Sequence, residues 1–233
     1  MSVLGLLWAL LPPLATAGVW IVLQSQQVVE FQNLSVPYPV FVLVGTLLWQ
    51  IFSESITFLI QNLQQNRSLL TKINFPREAL IYSAGGEILF NLAIKFVLIV
   101  LALAVFQIPI SGYILLSLFG IAGLILLGLT IGLLISPLAL LFKDIQLGLP
   151  LALQFALYLT PVIYPEPTYS GIAKVLAYNP IIPLLQNSRE WLFGHQTEVS
   201  AFVLIFVITA FIFVLGLVLF KLSMKVVVER IGA

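Results

Sequence analysis

The sequence contains no cysteine, one histidine and few charged residues. The missing cysteines exclude disulfides, thiolate metal sites and cysteine nucleophiles. Charged residues make up 8% of the chain, whereas soluble domains contain about 25%. The net charge of +1 provides no basic surface for nucleic acid. Since 61% of the residues are apolar and the mean hydropathy is +1.14, the chain cannot cover itself with polar groups. We therefore expect it to lie in a lipid membrane.

Motifs for catalysis are also missing. The sequence has no GxxxxGK(S/T) phosphate-binding loop, no HExxH helix and no GxSxG elbow. We expect no catalytic residue, no metal site and no bound cofactor in this chain. If the protein transports a solute uphill, the energy must come from another subunit or from an ion gradient. The one histidine, His195, follows Gly194 in a predicted outer loop, and we do not expect it to be a ligand.

Long uncharged runs define the predicted architecture. A helix needs about 20 apolar residues to cross about 30 Å of hydrocarbon, and these runs are too long for the strands of a membrane barrel. The sequence predicts an all-α membrane protein with one domain over residues 1–233. Its six transmembrane helices are expected at about 4–23, 37–60, 79–106, 113–142, 145–163 and 199–220.

The basic residues predict the orientation of the helices. With both termini on one side, two basic residues, Lys174 and Arg189, lie on the other side. The side that contains the termini collects Arg67, Lys72, Arg77, Lys143, Lys221, Lys225 and Arg230. Because cytoplasmic loops carry the excess of lysine and arginine, we expect both termini in the cytoplasm.

Two segments between the predicted spans are unusual. In residues 66–78, the apolar residues Leu69, Leu70 and Ile73 recur at helical spacing, and polar residues fill the opposite face. This pattern favours a short amphipathic helix at the cytoplasmic surface that ends before Pro76. This helix either rests on lipid headgroups or docks a cytoplasmic partner. The outer segment, residues 164–194, follows Pro161 and is broken by further prolines. Its helical pieces are too short to cross the membrane, so they are either re-entrant helices or parts of an ordinary surface loop.

Polar residues inside the predicted spans are candidates for function, because charge is expensive in lipid. Glu54 lies in the second span, and a row with four-residue spacing in the third contains Ser83, Glu87, Asn91 and Lys95. The row either lines an aqueous path or forms hydrogen bonds between helices. In the fourth span, Gly128, Gly132 and Ser136 form a small-residue ridge, which favours close helix packing within the chain.

Four motifs, in order between about Leu4 and Arg230, resemble one family. Residues 66–78, NRSLLTKINFPRE, are similar to the pattern N-x-x-L-(I/L)-x-K-x-x-F-P-R-E of permease subunits of ABC transporters that export polysaccharides such as O-antigen and teichoic acid. The sequences KDI at 143–145, TPVIYP at 160–165 and NP at 179–180 followed by Arg189 also resemble that family.

The resemblance implies an assembly of two permeases and two ATPases, with ATP and Mg on the ATPase subunits. It implies an ATPase-coupling interface at Arg67, Leu69, Leu70, Lys72, Ile73, Phe75, Pro76, Arg77 and Glu78. It implies an outer gate at Pro161, Tyr164, Pro165, Asn179, Pro180 and Arg189. Aromatic rings can stack on sugars, and the candidate channel-lining residues are Trp8, Tyr38, Trp49, Phe155 and Tyr158. Each of these rings could instead belong to a lipid-facing or interfacial belt.

The family resemblance therefore implies a membrane subunit that exports a lipid-linked polysaccharide with the help of an ABC ATPase and a second copy of itself. Three alternatives remain. The first is a permease of the same fold that exports a lipid or a drug-like solute, and the second is an ion-coupled transporter that uses Glu54, Glu87 and Lys95. The third is a non-transporting scaffold. Related permeases carry an amphipathic segment before the first span, and here only three residues precede Leu4, so we expect the true start to lie upstream.

Overall fold

The computed structural model describes residues 5–26, 34–70, 76, 78–109, 111–165, 176 and 178–232. Every regular element in these ranges is a helix, which confirms the all-α prediction. The elements are α1 (Gly5–Ser25), α2 (Tyr38–Gln65), α3 (Arg67–Leu70), α4 (Glu78–Val105), α5 (Ile114–Leu141), α6 (Lys143–Leu159), α7 (Ile181–Leu192) and α8 (Ser200–Gly232).

Four of the described helices, α2, α4, α5 and α8, are long and apolar enough to cross a membrane. They coincide with the predicted second, third, fourth and sixth spans. At 1.5 Å per residue, the 28 residues of α2 extend about 42 Å, so this helix reaches beyond the hydrocarbon layer. The first predicted span coincides with α1, and the fifth with α6, which has 17 residues. The six-span topology therefore remains a prediction for these two helices.

The helix α6 ends earlier than the sequence suggested. The predicted fifth span ran to residue 163, but Thr160 already has an extended backbone, with φ −111° and ψ 138°. Thr160 precedes Pro161, and a residue before proline is pushed away from helical angles by the proline ring. The four residues after Leu159 therefore belong to the outer segment.

The centre of the bundle is the contact between α2 and α5. A Cβ atom added to Gly128 would lie 2.6 Å from the Phe52 carbonyl oxygen, and one added to Gly132 would lie 3.1 Å from the Ile56 carbonyl oxygen. The two backbones approach this closely because glycine has no side chain. The prediction that these two glycines serve internal packing is confirmed.

A second apolar cluster closes the end of the bundle that the basic residues predict to be cytoplasmic. It joins five helices through Leu59 and Leu63 of α2, Leu70 of α3, Leu80 of α4, Leu140 of α5 and Met224 of α8. Because α3 contributes a fully buried leucine to this cluster, the short helix is anchored to the bundle. This anchoring fixes the first residues of the predicted coupling segment against the bundle.

Candidate functional site

The short inner helix α3 follows α2 almost without interruption. Asn66 separates the two helices, and its backbone N–H donates to the Asn62 carbonyl oxygen at 3.1 Å. The backbone N–H groups of Leu69 and Leu70 then both donate to the Asn66 carbonyl oxygen. Asn66 therefore joins α3 directly to the end of α2, and Leu70 of α3 packs in the same apolar cluster as Leu59 and Leu63 of α2.

The predicted coupling residues divide between surface and interior. Arg67 and Pro76 are exposed, Leu69 and Glu78 are half-buried, and Leu70 is 1% exposed within the inner cluster. Leu70 is therefore a packing residue of its own bundle and does not offer a contact surface. The Glu78 carboxylate at the start of α4 accepts from the Lys221 ammonium of α8 at 3.2 Å. The remaining coupling residues, Lys72, Ile73, Phe75 and Arg77, lie outside the described residues.

The polar row on α4 is bonded to α2 at both of its ends. The Asn62 side-chain amide donates to the Ser83 hydroxyl at 3.1 Å, and the Lys95 ammonium donates to the Glu54 carboxylate. Between these ends, Glu87 is exposed, and the Asn91 amide donates to the Glu87 carbonyl oxygen on its own helix at 3.0 Å. The first and last residues of the row thus connect helices.

The pair between Glu54 and Lys95 is asymmetric in its exposure. The Lys95 side chain has 0% of its surface exposed, whereas the Glu54 side chain has 27% exposed. A buried ammonium is stable in the interior only with a close partner. The carboxylate of Glu54 supplies that partner and also reaches the surface of the helix.

Hydrogen bonds hold the outer segment against α2 and α7. The buried Arg189 guanidinium on α7 donates to the Pro161 and Val162 carbonyl oxygens at 3.1 and 3.3 Å. It also lies over the Phe41 ring of α2, at 3.8 Å from the ring centroid. The Tyr38 hydroxyl of α2 donates to the Ile163 carbonyl oxygen at 3.0 Å. Arg189 thus connects the turn formed by residues 160–162 with the half of α2 that contains Phe41.

The other predicted gate residues lie in the same region. The Asn179 amide donates to the Thr160 hydroxyl at 3.0 Å, and Pro180 precedes the first residue of α7. The Tyr164 hydroxyl donates to the Tyr158 carbonyl oxygen at 2.9 Å. Burial raises the pKa of Tyr164 above that of a free phenol, which adds to the preference for the protonated hydroxyl that donates this bond. Pro165 and Arg189 line an outer cavity of about 550 Å³.

The predicted pair of re-entrant helices is only partly described. Helix α7 has 12 residues and extends about 18 Å, which is too short to cross the membrane. Of residues 166–177, the structure describes only Leu176. The second short helix therefore remains a prediction.

The candidate channel aromatics fall into two groups. Tyr38 and Trp49 are buried within the chain, and the Trp49 ring packs on Phe52 at 5.3 Å between centroids. Phe155 and Tyr158, on α6, are 68% and 52% exposed. The side chain of Trp8 lies outside the described part of the chain. Among the candidate rings that the structure describes, the exposed ones on α6 are those that can offer a flat surface to a ligand.

Sequence reasoning missed a polar face on α2. Its residues lie on one side of the helix, at helical spacing. We call this surface the α2 polar face; it consists of Gln50, Ser53, Glu54, Thr57, Gln61 and Gln64. The average hydropathy of the span hides this pattern, because the rest of the helix is strongly apolar. A search of each predicted span for a helical row of polar residues would have found it.

Long apolar helices, a buried charge pair and a proline-broken outer segment define a multi-pass α-helical membrane protein. The chain is 31% identical to the O-antigen export system permease protein RfbA of Myxococcus xanthus, over 84% of this chain and 75% of that protein. Two such permeases of Klebsiella pneumoniae are 26% and 25% identical over 94% of this chain and 85% of their own length. No family model matches the chain. The chain belongs to the O-antigen export permease family, as its motifs predicted.

Proposed function

We propose that this protein is the membrane-spanning subunit of an ABC transporter that exports a lipid-linked polysaccharide from the cytoplasm. The similarity to three O-antigen export permeases over 84–94% of the chain carries this proposal. The membrane is the cytoplasmic, inner membrane of a bacterium. Two copies of the chain form a homodimer that encloses the path, and the surrounding membrane lipid covers the apolar outer faces.

The energy for export comes from a separate ATPase subunit, which binds ATP and Mg. ATP binding by that subunit would press on α3 and on the residues that follow it up to Pro76. Since Asn66 joins α3 directly to α2, the push would move α2. The polysaccharide would then pass exposed rings such as Phe155 and Tyr158, which can stack on sugar faces.

Deleting the gene tests the function. The expected result is that lipid-linked glycan accumulates inside the cell and disappears from the surface. Normal surface glycan in the deletion strain would contradict the proposal.

If a lipid or drug-like solute were the substrate, reconstituted vesicles would move that solute and not the glycan. For an ion-coupled transporter, collapse of the proton gradient would stop transport and removal of the ATPase would not.

The coupling interface can be tested with three substitutions. Because Arg67 is exposed, Arg67→Glu should reduce co-purification of the ATPase by about tenfold while the thermal stability of the chain stays unchanged. Arg230→Glu, a charge reversal elsewhere on the inner side, is the matched control and should leave co-purification intact. Leu70→Ala should instead lower stability by about 2–5 kcal/mol, because Leu70 is buried. Full ATPase binding by Arg67→Glu would count against this interface.

The proposed topology has six spans, with α1 and α6 as the first and fifth, and both termini in the cytoplasm. The distribution of basic residues supports this orientation. Epitope tags placed after Ala233 and within residues 194–199 should be accessible from the cytoplasm and from the outer side, respectively. Accessibility of both tags from the same side would overturn the topology.

A further inference from the structure

The α2 polar face is a polar surface on a membrane-spanning helix that the proposed mechanism leaves unused. It runs from Gln50 to Gln64, about 21 Å along the helix axis. This length is roughly two-thirds of the hydrocarbon layer, which is about 30 Å thick. The other faces of α2 are largely buried against the bundle. The polar residues are therefore confined to one side of a helix that is otherwise a core element.

The part of the chain that the structure describes covers this face only partly. Gln61 is exposed, and Gln50, Ser53, Thr57 and Gln64 are half-buried. Beside it, α2 and α6 leave a cavity of about 260 Å³. The polar side chains that line this cavity are Thr57, Gln61, Gln64 and Gln146. An open polar surface thus lies next to α6, the helix that carries the exposed aromatic rings.

Several members of the face have hydrogen-bond partners among the described residues, and two have none there. The Ser53 and Thr57 hydroxyls donate to backbone carbonyl oxygens of α2, and the Gln64 amide donates to the Ala139 carbonyl oxygen at 3.2 Å. For the side-chain amides of Gln50 and Gln61, the described residues provide no partner. An unpaired amide in hydrocarbon costs several kcal/mol. Gln50 lies within the predicted second span, 37–60, so its amide requires water or a polar ligand there. Gln61 directly follows that span and is exposed.

The charge of the face identifies the kind of ligand. Its one ionisable group is Glu54, and the buried Lys95 ammonium balances that carboxylate. What remains is a row of amides and hydroxyls, which both donate and accept hydrogen bonds. Sugar hydroxyls have the same dual capacity. A neutral row of this kind suits a polyhydroxylated chain better than an ion.

We propose that the α2 polar face is the wall along which the sugar hydroxyls of the exported glycan pass, with the Gln50 and Gln61 amides as hydrogen-bonding contacts. The inference rests on the proposed function and adds the glycan-contacting surface to it. The exposed rings of Phe155 and Tyr158 would contact the apolar faces of the sugars, and the α2 polar face would contact their hydroxyls.

The absence of cysteine from the sequence makes this proposal directly testable. Single variants Gln50→Cys, Thr57→Cys and Gln61→Cys are placed in the complete exporter in inverted membrane vesicles and treated with a membrane-impermeant maleimide. Only a thiol in contact with water ionises and reacts readily. Leu89→Cys and Val97→Cys are matched controls, since both are apolar positions exposed on α4, where we expect lipid contact.

The polar-face cysteines should react at least tenfold faster than the two controls, and loading the vesicles with lipid-linked glycan should slow their reaction at least threefold. Reaction no faster than in the controls would overturn the proposal, because the face would then be covered by protein or lipid. Fast reaction that glycan does not slow would also overturn it, because the water-filled surface would not contact the substrate.

A transport measurement provides the second readout. Gln61→Leu should slow glycan export about fivefold, the effect of one lost hydrogen bond, and Gln61→Asn should recover most of the rate. Equal rates for the two variants would contradict the hydrogen-bonding role. Failure of the proposed function itself is distinguishable, because it appears as normal surface glycan in the deletion strain whatever the labelling pattern is.

Discussion

Removing one member of the pair between Glu54 and Lys95 leaves a charge that the bundle cannot easily accommodate. Breaking a buried ion pair costs about 3–5 kcal/mol, because the remaining charge is uncompensated. The structure indicates which of the two substitutions is worse. The Lys95 side chain has no exposed surface, and the Glu54 side chain is 27% exposed.

Glu54→Gln leaves the fully buried Lys95 ammonium without its charged partner. We therefore expect the free energy of unfolding to fall by about 5 kcal/mol, the upper end of the range for a broken buried pair. Lys95→Met leaves the Glu54 carboxylate unpaired, but this carboxylate belongs to the α2 polar face and can be hydrated there. We therefore expect the free energy of unfolding to fall by about 3 kcal/mol. The double variant carries neither charge, and its stability should lie within about 1 kcal/mol of the native protein.

The three variants form a double-mutant cycle, which isolates the energy of the pair. Reversible unfolding in mixed detergent and SDS micelles, followed by circular dichroism, measures each free energy. Asn91→Leu is the control, because the Asn91 amide bonds only to its own helix among the described contacts. Equal losses for the two single variants, or a double variant that loses the sum of both, would refute the reasoning.

Two further substitutions test the packing and the outer segment. Gly128→Ala should cost about 1–3 kcal/mol through overpacking, since the added Cβ would lie 2.6 Å from the Phe52 carbonyl oxygen. Gly85→Ala, where no atom lies within 4 Å of the added Cβ, should not destabilise, and equal losses in unfolding experiments would contradict this account. Arg189→Lys keeps the charge but loses the planar donor group. Limited proteolysis from the outer side should therefore cut the outer segment several times faster than in the native protein. An unchanged cleavage rate would contradict the role of the guanidinium.

Hydropathy and helix length were sufficient to predict the four long helices, because the cost of unsatisfied backbone in lipid leaves few other structures. The turn between α4 and α5 was also predictable. Its residues include proline and glycine, and the structure ends α4 at Val105 and begins α5 at Ile114. The predicted end of α6 was four residues too late. The sequence itself contains the reason, because Pro161 disfavours a helical backbone at Thr160.

Side-chain partners across helices could not be predicted from the sequence. The spacing of the α4 row indicated a common face, but not that Ser83 meets Asn62 and that Lys95 meets Glu54. Those contacts depend on the axial offset of two antiparallel helices, which no local pattern specifies. Leu70 was likewise assigned to a partner-binding surface by the family resemblance, and its amphipathic spacing does not distinguish a neighbouring helix from another protein.

Helix α2 contacts the outer segment near Tyr38 and Phe41, α4 at Glu54 and α3 at Asn66. These contacts belong to one uninterrupted helix about 42 Å long. If such a rod pivots about its midpoint by about 10°, each end moves about 4 Å in opposite directions. A displacement of about 4 Å at the α3 end of this helix would thus shift the end that contacts the outer segment by a similar distance in the opposite direction.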